Sequence, residues 1–339
     1  MNKYLVTGNK GYIGTELCKK IKKTPNTFII GLDNNYFKKN NENNLSSVQG
    51  NIVDIQYNCD IRKCDLSFLK NVDCVIHLAA VSNDPIGSFF QKPTKEINLI
   101  SSKRLFNNSI KHKVKNFVFA SSCSIYGSSN LNIKTEDDSL DPLTDYAKSK
   151  VNFENFINNK NKKINTTILR FSTACGLSEN LRMDLVLNDF VMNAFFNKKI
   201  ILNSSGNSFR PLIDVEDMCD AMIWASNRKQ SETFNVGRND NNILIIDLAK
   251  KIAKKQKNCK IVINPNAKTD KRSYQVSFNK VKKAGFYPKK NIDNIINGFF
   301  RFYSSNRPHN VYENENFFRL KVLKKLLNEK KINKNLEWI

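Results

Sequence analysis

The 339-residue sequence predicts an α/β fold: a doubly wound parallel sheet into which a smaller α+β domain is interleaved. Three observations carry that prediction. Short apolar runs alternate with helical stretches through the first half of the chain. A glycine-spaced turn, Thr7-Gly8-Asn9-Lys10-Gly11-Tyr12-Ile13-Gly14, joins the first apolar run to the first helical stretch. The alternation is then lost after about Phe171. Alternating strands and helices pack as a parallel sheet covered on both faces, and ligands bind at the carboxyl ends of its strands.

Taken in order, buried strands are expected at Tyr4 to Val6, Phe28 to Leu32, Ile52 to Ile55, Val75 to Ala79, Phe117 to Ala120 and Thr166 to Phe171. In the turn after the first strand, Gly8 must bend tightly, Gly11 must let backbone approach a ligand, and Gly14 must let helix and strand pack closely. A helix beginning near Tyr12 turns its free amides and dipole toward that spot, which favours a phosphate. Asn34 to Asn44 has little that could form a core and is expected to be a surface loop. Beyond Phe171 come a loop through Leu181, a helix from Met183 to Asn197, a short strand near Ile200, and Arg210-Pro211-Leu212-Ile213-Asp214. Asp214 to Ser226 reads as a helix, and Thr233 to Val236 as a strand returning to the main sheet. The resulting division is 1–172 with 211–237 returning to it, a cap of 173–210 and 238–304, and a basic helical extension at 305–339. An amphipathic helix is expected at Glu313 to Lys331, with Phe317, Leu320, Leu323 and Leu327 docking on the protein itself or on a twin subunit.

Composition narrows the function classes. No run approaches the roughly 20 apolar residues of a membrane span, and the first strand begins almost at Met1, so a cytoplasmic protein without a signal peptide is expected. The eight cysteines are scattered without a Cys-x-x-Cys pair, as in reduced thiols. His77, His112 and His309 lie at no metal-ligand spacing, so no metal is expected, and His77 reads as a packed strand residue. The formal charge of +24 raises the question of nucleic acid. The lysines are spread along the chain without a basic arm or an aromatic stripe, so a basic surface suited to anionic small molecules is the preferred reading.

The chemistry is concentrated in Tyr146-Ala147-Lys148-Ser149-Lys150, where a helix projects Tyr146 and Lys150 from one face. A phenol with a pKa near 10 is a poor base at neutral pH unless a cation lowers it, and Lys150 is placed to do so. Between this motif and the glycine turn stand Asp33, Asp60-Ile61, His77-Leu78-Ala79-Ala80, Asn98 and Ser121-Ser122-Cys123-Ser124-Ile125-Tyr126-Gly127. The ordered set resembles the extended short-chain dehydrogenase/reductases, and within them the NAD-dependent sugar-nucleotide epimerases and dehydratases, UDP-glucose 4-epimerase among them. The likeness spans roughly residues 1–300 and implies a Rossmann-type fold.

The resemblance implies NAD held by Gly8, Gly11, Tyr12, Ile13, Gly14, Asp33, Asn34, Asp60, Ile61, Leu78, Ala79, Ala80, Asn98, Ser121, Tyr146, Lys150 and Phe171. Asp33 would accept from the ribose hydroxyls and repel a 2′-phosphate, although Lys38 and Lys39 stand nearby. It implies Ser122, Tyr146 and Lys150 as catalytic residues, with Ser122, Tyr146, Arg210 and Arg272 on a nucleotide-diphosphate sugar. For the two arginines a structural salt bridge is the competing reading. In 4,6-dehydratases of this kind an Asp-Glu pair follows the serine, whereas Cys123 and Ser124 stand here, which disfavours dehydration. What remains is a 4-epimerase, with a C4 dehydrogenase or reductase as the alternative and an NAD-binding regulator as the rival outside catalysis. Glycan or polysaccharide precursor synthesis and a homodimer are also implied by the resemblance.

Overall fold

The structure, a computed structural model, describes residues 1–37, 52–160, 163–267, 270, 272–306 and 314–339. The strands are β1 (Asn2–Thr7), β2 (Thr27–Asp33), β3 (Ile55–Asn58), β4 (Cys74–His77), β5 (Asn116–Ser122), β6 (Ser128–Lys134), β7 (Asn165–Phe171), β8 (Thr173–Cys175), β9 (Lys199–Leu202), β10 (Phe209–Asp214), β11 (Glu232–Val236), β12 (Asn242–Leu244), β13 (Lys260–Ile263) and β14 (Ser273–Val276). The main helices are α1 (Tyr12–Lys22), α2 (Asp84–Phe89), α3 (Gln91–Lys95), α4 (Ser102–Lys111), α5 (Asp145–Asn158), α6 (Val186–Asn197), α7 (Val215–Ser226), α8 (Ile245–Ala253), α9 (Asn279–Lys283), α10 (Ile292–Asn306) and α11 (Arg319–Asn328). None of the described helices is long and apolar enough to cross a membrane.

Seven parallel strands form the main sheet in the order β11-β7-β5-β4-β1-β2-β3. The chain leaves β1 toward β2 on one side and returns as β4 on the other. A crevice therefore opens at the carboxyl ends of β1 and β4, the place where such sheets bind ligands. Each face of the sheet is covered. On one, α1 and α7 supply Leu17, Cys18, Met218 and Met222. On the other, α4 and α5 supply Leu105, Phe106, Phe153 and Ile157. Phe119 and Phe153 meet edge to face at 4.7 Å, which fixes α5 against β5. His77 lies buried among these rings, hydrogen-bonded to Thr7 and Ser102, each at 2.7 Å, as expected for a packed strand residue.

The smaller part carries a three-stranded sheet, β12-β10-β8, with two-stranded pairs β13-β9 and β14-β6. Its own core joins α6, α8 and α10 through Phe190, Leu248, Ile296 and Phe299. Tyr12 ties it to the first domain: its ring packs in this core and its hydroxyl donates to the Gly176 carbonyl at 2.7 Å.

Several expected boundaries move. The strand expected at Ile52 to Ile55 is found at Ile55–Asn58, because Asp54 folds back to accept the Ile29 amide at 2.8 Å and Lys22 at 2.7 Å. The strand expected to reach Ala79 ends at His77. The helix expected from Met183 begins at Val186, since Arg182 and Asp184 are taken up in a bidentate pair. Asn34 to Phe37 is a turn, and the rest of the expected loop to Asn44, with Lys38 and Lys39, lies outside the described residues. The helix expected at Glu313 to Lys331 is shorter, Arg319–Asn328, because Phe318 is extended. Glu313 lies outside the described residues, and Leu320, Leu323 and Leu327 dock on the chain's own core.

Candidate active site

The glycine turn comes first because its geometry leaves little choice of residue. Gly8 has φ +73°, a region side chains avoid, and a Cβ there would lie 2.9 Å from the Ala79 nitrogen. A Cβ at Gly14 would run into the Gly8 carbonyl. α1 therefore starts directly above β1, with Gly11 as its cap residue and no side-chain cap on its amides. Asp33, at the end of β2, accepts the Lys10 amide at 3.1 Å and the Asn35 amide at 2.8 Å. Burial raises its pKa, and those two amide bonds act against the rise.

These residues line one lobe of a cleft, together with Asn34, Asp60, Ile61, Leu78, Ala79 and Ala80. A second lobe is lined by Ser122, Tyr146, Lys150, Phe171, Arg210 and Arg272. The lobes meet at shared residues, among them Ile13, Leu78, Ala80 and Arg182. The first lobe has apolar walls and an open run of helix amides, which suits a dinucleotide. The second is wider and carries more polar side chains, among them Ser122, Tyr146, Lys150, Arg210 and Arg272.

β5 and α5 deliver the reactive set. Ser122 ends β5, its hydroxyl 3.0 Å from that of Ser124. Thr144 caps α5 by accepting the Ala147 amide at 3.2 Å, so Tyr146 sits in the first turn and Lys150 one turn later. Lys150 donates to the Ala120 carbonyl at 2.7 Å and lies 5.5 Å from the Tyr146 ring centre. Burial pulls the Lys150 ammonium down to about 8, with Glu154 acting the other way. The lowering of the Tyr146 phenol, expected from Lys150 together with a bound nicotinamide ring, is not supplied by the chain's own groups. Burial and the nearby Asp84 raise it, and a hydrogen bond from Ser122 only partly opposes them. The ammonium lies beside the ring, so the chain's own groups do not make this phenol acidic.

The structure also places three other residues expected at the cofactor. Asn98 sits on a π-helical turn (Glu96–Ser101) with both ends of its amide in use: Oδ1 accepts from the Val81 amide at 2.8 Å, and Nδ2 donates to the Val81 carbonyl at 3.0 Å. Its side chain braces the cleft wall through Val81. The Ser121 hydroxyl turns to buried Glu154, which pairs with Arg170 at 2.8 Å beneath the site. Phe171 pairs in register with Ser122 and lines the second lobe beside Tyr146 and Lys150, at the end of the cleft away from the glycine turn.

Arg210 and Arg272 converge on Asp270, at 2.7 and 2.9 Å, and Arg272 also reaches Asp84. The arginines thus line the cleft while bridged by carboxylates, and a diphosphate would have to displace these partners. Asp60 likewise lines its lobe while chelated by Arg62 at 2.6 Å. Cys123 is buried and turned to the Arg170 carbonyl, and burial pushes its thiol up, so it offers the cleft no acid.

Some lining residues had no motif to announce them. Arg182 stands where the lobes meet, and Arg319, Leu323 and Leu336 of the C-terminal extension line the first lobe. The faint signal was an arginine opening a helix whose other cations are lysines.

A doubly wound sheet with a glycine turn at its crevice, and a Tyr-x-x-x-Lys helix beside a serine, defines a dinucleotide-dependent enzyme of the dehydrogenase/reductase type. The family model described as "NAD dependent epimerase/dehydratase family" matches residues 4–237, and the chain belongs to that family. It is 31% identical over 242 residues, 69% of this chain and 76% of the relative, to a Methanocaldococcus jannaschii protein named "Putative UDP-glucose 4-epimerase". Among solved structures it resembles a Thermotoga maritima UDP-glucose 4-epimerase bound to UDP-glucose, with TM-score 0.76 and 23% identity over 90% of this chain and 99% of that one. It also resembles a Bacillus anthracis dTDP-glucose 4,6-dehydratase in complex with NAD, with TM-score 0.77 and 21% identity over 95% and 100%. These two structural likenesses speak to the fold. As a member of this family the chain takes NAD as its cofactor.

Proposed function

We propose that the chain is an NAD-dependent nucleotide-sugar 4-epimerase. The observation that carries this reading is the placement of Ser122, Tyr146 and Lys150 in a polar lobe opening onto the cofactor lobe, with Arg210 and Arg272 in the same lobe. Tyr146 takes the proton of the sugar C4 hydroxyl, and Ser122 hydrogen-bonds that oxygen as it becomes a carbonyl. NAD, which the glycine turn, Asp33 and Lys150 would hold, would supply the acceptor and then the donor of the C4 hydride. Lys150, held by the Ala120 carbonyl, orients the nicotinamide ribose and keeps positive charge beside the phenol. The keto sugar then presents its other face, Tyr146 gives the proton back, and the C4 configuration is inverted with no net oxidation. Arg210 and Arg272 would exchange Asp270 and Asp84 for the substrate diphosphate, whose paired oxygens suit the planar guanidinium forks.

Elimination of water needs a base for C5 and an acid for the leaving hydroxyl. Beside Ser122 the chain offers inward-turned Cys123 and the hydroxyl of Ser124, while Asp84, Asp184 and Asp270 in the lobe are held by arginines; Asp189, raised to about 6 by burial and bonded to Asn193, is the lobe carboxylate without an arginine partner among the described residues. Activity on glycan or polysaccharide precursors as a cytoplasmic homodimer completes the reading. Incubating the enzyme with UDP-, GDP-, CDP- and dTDP-sugars and following products by NMR tests it. An equilibrium mixture of C4 epimers with catalytic NAD and no net cofactor reduction supports it, whereas a 4-keto sugar accumulating with reduced cofactor identifies a C4 dehydrogenase, and a 4-keto-6-deoxy product a dehydratase. Inertness toward every sugar by a chain that still binds NAD leaves the non-catalytic regulator.

A further inference from the structure

The family match ends at residue 237, yet the cofactor lobe is completed by residues more than eighty positions later. α11 lies over the lobe, and its first residue, Arg319, is 2% exposed. The guanidinium lies 4.0 Å from the Phe37 ring centre. Its Nη2 donates to the Asn180 carbonyl at 3.3 Å and to the Asn180 side-chain oxygen. Asn180 in turn donates to the Lys10 carbonyl, so the guanidinium is tied to the Gly8–Gly14 turn where α1 begins.

Both hydrogen-bond acceptors are neutral. Among the described residues no carboxylate forms an ion pair with Arg319, in contrast to Arg182, which lines the same lobe but is paired bidentately with Asp184. A desolvated guanidinium without a counter-ion is costly, and burial together with Arg182 pulls Arg319 down to about 9. Both of these hydrogen bonds are made by one of its three nitrogens, and the residue lines the lobe. An anion arriving at the start of α1 would meet both the free amides of the helix and this fork.

The segment carrying Arg319 is fastened to the rim at its far end as well. The Leu336 carbonyl accepts from Tyr36 and from Arg62, the latter at 3.0 Å, and Trp338 donates to the Asn34 carbonyl at 2.7 Å while stacking on Tyr36. Leu336 is fully buried and lines the lobe near Asp60 and Ile61.

We propose that Arg319 is a cofactor-binding residue whose guanidinium takes the diphosphate of the dinucleotide, and that the C-terminal segment 314–339 is the closing wall of the cofactor lobe. The inference rests on the NAD reading of that lobe.

Calorimetric titration of the full chain with NAD, ADP and adenosine, in wild type, Arg319→Met and Arg319→Lys, tests it. Methionine keeps bulk against Phe37 without charge, while lysine keeps the charge without the fork. Arg319→Met is expected to weaken NAD and ADP by roughly ten- to a hundredfold. Adenosine, which has no phosphate, should shift less than about twofold, and Arg319→Lys should fall between. A ligand-free melting temperature close to wild type shows that the fold survives. Should Arg319→Met fold poorly, Arg319→Lys decides: a loss for NAD and ADP without one for adenosine supports the assignment, and wild-type affinities overturn it. Folded Arg319→Met that binds NAD as wild type does, or loses adenosine as strongly as NAD, also overturns it. A wild-type chain that binds neither NAD nor ADP removes the cofactor reading itself, and the assignment with it.

Discussion

Lys150 concentrates the conflict between burial and charge at this site. Its ammonium is buried, kept by one carbonyl bond at 2.7 Å, and pulled down to about 8. Below that pH it is charged and can orient the ribose and balance the phenolate; above it the charge is lost. Because the folded pKa lies below the value of about 10.4 in the unfolded chain, the unfolded state binds more protons between these two values. Stability should therefore fall as pH drops from about 10 to 8, then gain no further cost from this group. Activity should behave oppositely, with kcat falling above about pH 8, and initial rates measured from pH 6 to 10 check this; a plateau extending to pH 10 would exclude Lys150 as the group that sets the limb. Tyr146 poses the complementary problem, since the protein's own environment raises it. In the proposed mechanism its base role therefore depends on the cationic ring of the oxidised cofactor as well as on Lys150. Tyr146→Phe should lower kcat by roughly a thousandfold while NAD affinity, read by titration, changes little.

At the level of elements, α5 has two duties. Its first two turns face the cleft with Tyr146 and Lys150, and one turn later Glu154 plugs into β7 through Arg170. Arg170 also donates to the Tyr126 hydroxyl at 3.0 Å, and Tyr126 donates to Asn235 of β11 at 2.7 Å, so the catalytic helix is keyed to three strands or their flanking turns. Glu154→Gln leaves the Arg170 charge buried without its counter-ion and should cost about 3 kcal/mol, read as a lower urea midpoint at unchanged slope. The glycine turn, Asp33 and the Tyr146–Lys150 spacing were legible because each is a local pattern whose geometry follows from a few neighbouring residues. The protein partners of Asn98 and Ser121, Val81 and Glu154, stand 17 and 33 positions away and no local pattern announces them. The contacts of Arg319 with Asn180, and of Trp338 with Asn34, span 139 and 304 positions and were equally hidden. Strand ends shifted where one side chain bonded backbone, as Asp54 does to Ile29.

Across the whole molecule, the excess charge and the charges in the cleft belong to different systems. Inside the lobes Arg182, Arg210 and Arg272 are bound to carboxylates, so recognition by these three proceeds by exchange of short-range partners. The net +24 of the chain acts at longer range, drawing a doubly charged sugar nucleotide toward a cleft whose low-dielectric walls concentrate the field. Such attraction is screened over a Debye length of about 8 Å at physiological ionic strength, while buried pairs are screened much less. Raising salt from roughly 0.02 to 0.5 M should therefore lower kcat/KM for the sugar nucleotide severalfold through KM, and leave kcat nearly unchanged. A protein built to hold duplex DNA would instead gather its cations into a phosphate track, with affinity falling as a steep power of salt. Here the lysines are dispersed, and many are tied locally, as Lys20 is to Asp220 and Lys115 to Asp73. Duplex affinity should accordingly be weak at physiological salt, and fluorescence anisotropy of a labelled duplex measured beside the kinetic series separates the two cases. Tight, steeply salt-dependent duplex binding together with a salt-independent KM would assign the charge to nucleic acid and not to the substrate.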